Sequence, residues 1–175
     1  MWRIARTFLL VPFVALFCGC GNKSSFGTDG LGVRLGDGLV SYQTVEEAKT
    51  EITKRLGKWE IIEDSATPRR RGRPEFTILR ASVGNFEHLG HRGELILEFL
   101  NDRLMAIRFF PAQTASDYLL AVSKAEGVVL QPRGSTVAPA FRRIWHGIDH
   151  RGKEYVGWED TRLSEEYSRW IRKYA

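Results

Sequence analysis

The stretch ELILEFLNDRLMAIRFF, residues 94–110, decides the fold. Two runs rich in apolar and aromatic residues, 94–100 and 103–110, flank Asn101 and Asp102. Asn and Asp tolerate the positive φ of a two-residue turn, so the stretch predicts a β-hairpin, and Pro111 predicts the end of its second strand. Such a turn puts Leu95, Leu97, Phe99, Leu104 and Ala106 on one face. It puts Glu94, Ile96, Glu98, Met105, Ile107 and Phe109 on the other. Both faces then hold apolar groups, unlike a sheet that is wet on one side. The 127–140 connection is the expected cover for the second face; a ligand or partner surface edged with carboxylates is the alternative.

Working outward, Thr44 with Glu47 three residues on forms a capping box. Val45, Ala48, Ile52 and Leu56 follow at helical spacing, and Gly57 predicts the stop. Strands are expected around Trp59, Ile61 and Ile62 and again over 76–83, with a loop over 67–74. After the central hairpin, Thr114 and Asp117 offer a second capping pair before a helix carrying Ala115, Tyr118, Leu119 and Val122. A second hairpin, 141–148 and 154–158, precedes a helix opened by Asp160 or Thr161, with Leu163, Tyr167, Trp170, Ile171 and Tyr174 on one face. The reading is an α+β domain: an antiparallel sheet of about six or seven strands with about three helices on one face. The recurring hairpin-then-helix order suggests a repeated unit.

A charged fraction of 27% and a hydrophobic fraction of 43% are those of a globular chain and not a disordered one. At 175 residues one domain is expected, large enough to bury roughly two-thirds of its unfolded surface without a metal or disulfide. The only cysteines are Cys18 and Cys20, both at the N-terminal end. Beyond them there is no thiol for a disulfide, a thiolate zinc site or a nucleophile.

Arg3 and Arg6 precede the apolar run TFLLVPFVALF at 7–17, the positive-then-apolar order of an export signal. As a helix, at about 1.5 Å per residue, that run reaches only about half of a roughly 30 Å hydrocarbon core, and Pro12 interrupts it, so a spanning anchor is not expected. The residues that follow, FCGCGNKSS at 17–25, resemble the lipobox of bacterial lipoproteins, with small Gly19 directly before Cys20. Phe17 and Cys18 depart from that family's preference for Leu and for Ala or Ser.

The resemblance covers only this N-terminal segment. It implies a diacylglyceryl group on the sulfur of Cys20, cleavage before that residue, and attachment to a membrane of the bacterial envelope. Gly21, where an Asp favours inner-membrane retention, implies the periplasmic side of an outer membrane if the organism has one. An ordinary secretory signal cut near Gly19 is the alternative. The expected division is a signal peptide at 1–19, a Gly/Ser-rich flexible tether at 20–38 and a single α+β domain at 39–175. Within the tether, Leu31, Val33 and Leu35 alternate as a short strand would.

Loss of Arg3 and Arg6 would lower the net charge from +5 to +3, too mild for a nucleic-acid footprint. Gly30, Gly32 and Gly36 lack dinucleotide-binding spacing, and no cofactor is expected. His88 with His91, and His146 with His150, could supply metal nitrogens, yet neither pair falls on a predicted helix and exposed loop histidines are the plainer reading. Arg69, Arg70, Arg71 and Arg73 could grip an anionic polymer, a phosphate or a lipid head group, or form a solvated loop held extended by repulsion. Glu94 and Glu98 point one way, but paired carboxylates do acid–base work only in a cleft that tunes them apart. Ser135 sits in a predicted loop with no marked partner, and Trp59, Trp145, Trp158 and Trp170 are expected in the core, with Trp158 or Trp145 lining a pocket as the alternative.

The functional expectation is therefore a lipid-anchored, non-catalytic binding or adaptor module whose partners are the membrane, through Cys20, and an envelope protein or anionic polymer. A small-ligand or metal-binding lipoprotein is the alternative, and a hydrolase the third reading.

Overall fold

The computed structural model describes residues 32–54, 58–68, 70, 72–138 and 141–174. Signal peptide, Cys20 and most of the expected tether lie outside them. The described fold begins inside the predicted tether. Val33 and Leu35 are buried, and β1 (Arg34–Gly36) pairs with β2 (Leu39–Val40), as the alternation of 31, 33 and 35 predicts.

Helix α1 (Val45–Thr53) carries the expected capping box: Glu47 N–H donates to Thr44 Oγ1 at 3.3 Å, and Thr44 N–H donates to Glu47 Oε2 at 2.8 Å. Strands β3 (Lys58–Thr67), β4 (Phe76–His88), β5 (His91–Leu100) and β6 (Arg103–Pro111) form an antiparallel meander. Helix α2 (Ala115–Glu126) follows, then β7 (Ser135–Ala138), β8 (Arg142–Ile148), β9 (Glu154–Asp160) and α3 (Thr161–Tyr174). The seven longer strands make one antiparallel sheet in the order β3-β4-β5-β6-β9-β8-β7. Ser135 thus opens an edge strand where a loop was expected. The second expected cap is also absent: Thr114 precedes α2, but its side chain makes no capping bond.

The quoted hairpin is present, with Leu100 opposite Arg103 and positive φ at Asn101 (49°) and Asp102 (58°). Its faces differ from expectation beyond Met105. Phe99 pairs with Leu104 but Glu98 with Ala106, so Met105 is an extra residue. Such a bulge inverts the parity of everything after it. Ile107 and Phe109 therefore join Leu95, Leu97, Phe99 and Leu104 in the main core, while Met105 and Ala106 pack on the opposite side.

That opposite side overturns the one-face arrangement. Ala48 and Ile52 of α1, with Tyr118 and Val122 of α2, pack on the main core beside Val156 and Trp158. Leu163, Tyr167 and Trp170 of α3 instead pack against Phe76, Ile78, Leu100 and Met105. This patch is apolar at one end of the second face and needs its own cover, which α3 supplies. The 127–140 connection sends Val128 and Leu130 into the main core instead. Antiparallel neighbours such as β6 and β9 can be exchanged only by a two-fold axis normal to the sheet, which would keep their following helices on one face. Because α2 and α3 lie on opposite faces, the hairpin-then-helix order is not a spatial repeat.

His88 and His91, expected in a loop, instead close the outer end of the β4–β5 hairpin. The chain turns at Leu89 and Gly90 (φ 51° and 78°), with His88 opposite His91. Gly93 serves close approach and not flexibility: a Cβ there would overlap the Phe110 carbonyl oxygen and lie 2.7 Å from the Phe109 ring.

Candidate ligand cleft

Helix α3 covers only one end of the second sheet face. Where it stops, a cleft of about 220 Å³ opens between the helix and the uncovered strands. Ile78 and Met105 supply apolar floor, Ser164, Tyr167 and Ser168 the helical wall. Charge comes from five strands: Arg80 on β4, Glu98 on β5, Arg108 on β6 and Arg143 on β8, with Glu159 of β9 between the last two. Strand alternation puts them here, because each is the outward neighbour of a core residue: Leu97 and Phe99 flank Glu98, Ile107 and Phe109 flank Arg108, and Ile144 follows Arg143.

The cleft is held by ion pairs. Glu98, only 3% exposed, takes Arg80 Nε at 2.6 Å and Arg108 Nη2 at 2.8 Å on its two oxygens. Arg80 also reaches Glu63 with Nη1 at 2.5 Å. Burial works against the Arg80 cation, but Glu98 and Glu63 outweigh it and hold the guanidinium above its ordinary pKa. Glu159 pairs with Arg143 and accepts from Ser164 Oγ at 3.1 Å. Burial lifts its carboxyl above the usual range despite Arg143. Glu94 does share the face of Glu98, as expected, but accepts from Ser82 Oγ at 2.7 Å with Lys153 Nζ at 3.6 Å. The two carboxylates have separate partners and form no acid–base pair.

The histidines are not exposed loop residues as a group. His88 is buried, its Nδ1 2.5 Å from Tyr118 Oη and its Nε2 3.2 Å from Asp37 Oδ2. This Asp–His–phenol chain ties the β1–β2 turn to α2. The Tyr118 phenol is fully buried, and burial pushes its pKa strongly upward, so it is a structural hydroxyl and not an accessible nucleophile. His91 packs edge-on to the same ring at 5.4 Å. His146 is buried on β8, accepting Arg133 N–H on Nδ1 at 2.8 Å, and His150 is exposed in the β8–β9 turn. Three strands separate β4 from β8, so the two pairs do not converge. Among the described residues no group of three or more His, Cys, Asp or Glu side chains could hold a metal.

Arg69 and Arg71 lie outside the described residues. Arg70 and Arg73 exchange backbone hydrogen bonds at 3.2 and 2.9 Å, making a tight turn in place of the expected extended loop. Arg70 points to solvent, whereas the Arg73 guanidinium sits 4.9 Å over the Trp170 ring. Among the described residues no helix is long and apolar enough to cross a membrane. The cleft arginines escaped sequence reading; their one signal was their regular outward position on strands. No protein-family model matches this chain, and no curated protein is significantly similar to it.

Proposed function

We propose that this chain is a lipid-anchored protein of the bacterial envelope whose α+β domain acts as a non-catalytic binding module. The observation that carries the binding half is the cleft: its acids are committed to arginines, so no carboxylate is left as a base, while several guanidinium N–H groups remain. Support for the anchor comes from Gly19-Cys20 behind a short apolar run. In an envelope with two membranes, Gly21 favours the outer one. A domain held there samples partners at the membrane surface and needs no chemistry of its own.

Mass spectrometry of the mature N-terminus, on protein extracted from membranes, tests the anchor. The expected result is an N-terminal Cys20 carrying diacylglyceryl, with or without an acylated amine. An unmodified N-terminus at or beyond Cys20 would remove the lipid from the account.

A further inference from the structure

We propose that the cleft between α3 and the uncovered strands is a binding site for a phosphate-type oxyanion, held by Arg108 and Arg143. The inference rests on reading the domain as a binding module and names the chemistry of its ligand. Three guanidiniums and two carboxylates line the cleft, and Glu63 beside it takes up Arg80 together with Glu98, which leaves Arg108 and Arg143 as the cations free to meet a ligand. The carboxylates are both buried and both engaged, whereas the arginines have donors to spare. Among the described residues Arg108 makes one hydrogen bond, from Nη2 to Glu98, and its buried Nε has no partner. Arg143 pairs with Glu159 through Nη2, and its side chain is 44% exposed at the rim. A guanidinium carries five N–H donors in a fixed fork suited to oxyanions.

The surroundings hold those forks in place before any ligand arrives. Glu98 clamps Arg108 from below, the Tyr155 ring lies 5.5 Å from its guanidinium carbon, and Trp145 lies 5.7 Å from that of Arg143. Trp145 can lie there because Gly157 has no Cβ; one would come within 2.6 Å of the indole. Donors ordered in advance lose little freedom on binding. The apolar floor weakens solvent screening around them. At about 220 Å³ the cleft suits a single small group and not a folded chain. Phosphate chemistry has two sources at an envelope surface, a lipid head group or a soluble phosphate.

Titration of the full chain in uncharged detergent with inorganic phosphate, at constant ionic strength, tests the site by calorimetry. Saturable binding is expected, weakened about tenfold or more by Arg108→Gln and by Arg143→Gln, and unchanged by Arg70→Gln. Arg143 is at the rim, so its variant carries the test should Arg108→Gln unfold. A parallel arm uses phosphatidylcholine vesicles with and without phosphatidic acid, on chain bearing Cys20→Ser. Vesicle binding that depends on phosphatidic acid and is lost with Arg143→Gln assigns a lipid head group; phosphate binding without it assigns a soluble ligand. No saturable phosphate binding, or equal binding by parent and both cleft variants, overturns the proposal. A lipidated, membrane-bound chain that ignores phosphate would leave the anchor standing and remove this site.

Discussion

Trp158→Ala is expected to destabilise the domain by about 3–5 kcal/mol, the range for emptying a large buried aromatic site. Trp158 is 1% exposed and sits on β9, paired with Ile107 of β6 and Ile144 of β8, so it spans the seam between the meander and the second hairpin. Its ring meets His88 edge-on at 5.2 Å, and its Nε1–H donates to Glu126 at 3.1 Å. Glu126 in turn pairs with Arg142. Truncation removes packing on both strands and takes one of the two partners from Glu126 at the end of α2. Thermal unfolding should shift down by roughly 10 °C or more for a domain of this size. Trp158→Phe keeps most of the volume and loses the hydrogen bond, and should cost about 1–2 kcal/mol. A Trp158→Ala loss below about 1 kcal/mol would show that the two halves do not share one core.

Two neighbouring acids should respond to pH in opposite senses. Asp160 is fully buried and accepts Ser41 Oγ at 2.7 Å, Arg162 Nη2 at 2.6 Å, Arg162 Nε at 2.9 Å and Arg162 N–H at 3.0 Å. Burial alone would raise its pKa, but the bonds from Arg162 and Ser41 outweigh it and hold the carboxyl below the ordinary range. A depressed folded pKa means stability that is complete above the unfolded value of about 3.9 and lost as pH falls through the folded one. Asp160→Asn should therefore cost about 2–4 kcal/mol at pH 7, because it weakens both the opening of α3 and the Ser41 link to β2, and the deficit should shrink toward pH 3.

Glu159 has the reverse sign. Its raised pKa means the ionised form is disfavoured in the fold, a cost relieved as pH falls through that raised value. Glu159→Gln should equal or exceed the parent at neutral pH, with the difference vanishing in acid. Urea unfolding of parent and both variants from pH 7 to pH 3 reads this directly. Parallel acid limbs for parent and Asp160→Asn would contradict the account.

Much of the architecture is legible in the residues because local chemistry decides it. Asn101 and Asp102 set a turn, Thr44 and Glu47 set a cap, and strand alternation separates the elements. The side to which an element turns is not local. Met105 bulges without a glycine or proline to announce it, and that one residue moves Ile107 and Phe109 into the core. The amphipathic pattern of α3 is plain, yet its choice of face follows from Phe76, Ile78 and Leu100, supplied by strands far away in the chain. The cleft escaped for the same reason. Arg80, Arg108 and Arg143 stand apart on three strands and meet only through sheet order, whereas the conspicuous run at 69–73 is a local feature whose described part closes on itself. His88 and His91 were expected in a loop because Gly84, Gly90 and Gly93 imitate one where the backbone is a long hairpin.

The most direct measurement compares the full chain and Cys20→Ser produced in a bacterial host, each followed by immunoblot through membrane and soluble fractions. The account predicts that the parent is recovered with membranes until detergent is added. The variant should move to the soluble fraction or remain as uncut precursor. A variant that is cleaved and still sediments with membranes would contradict it.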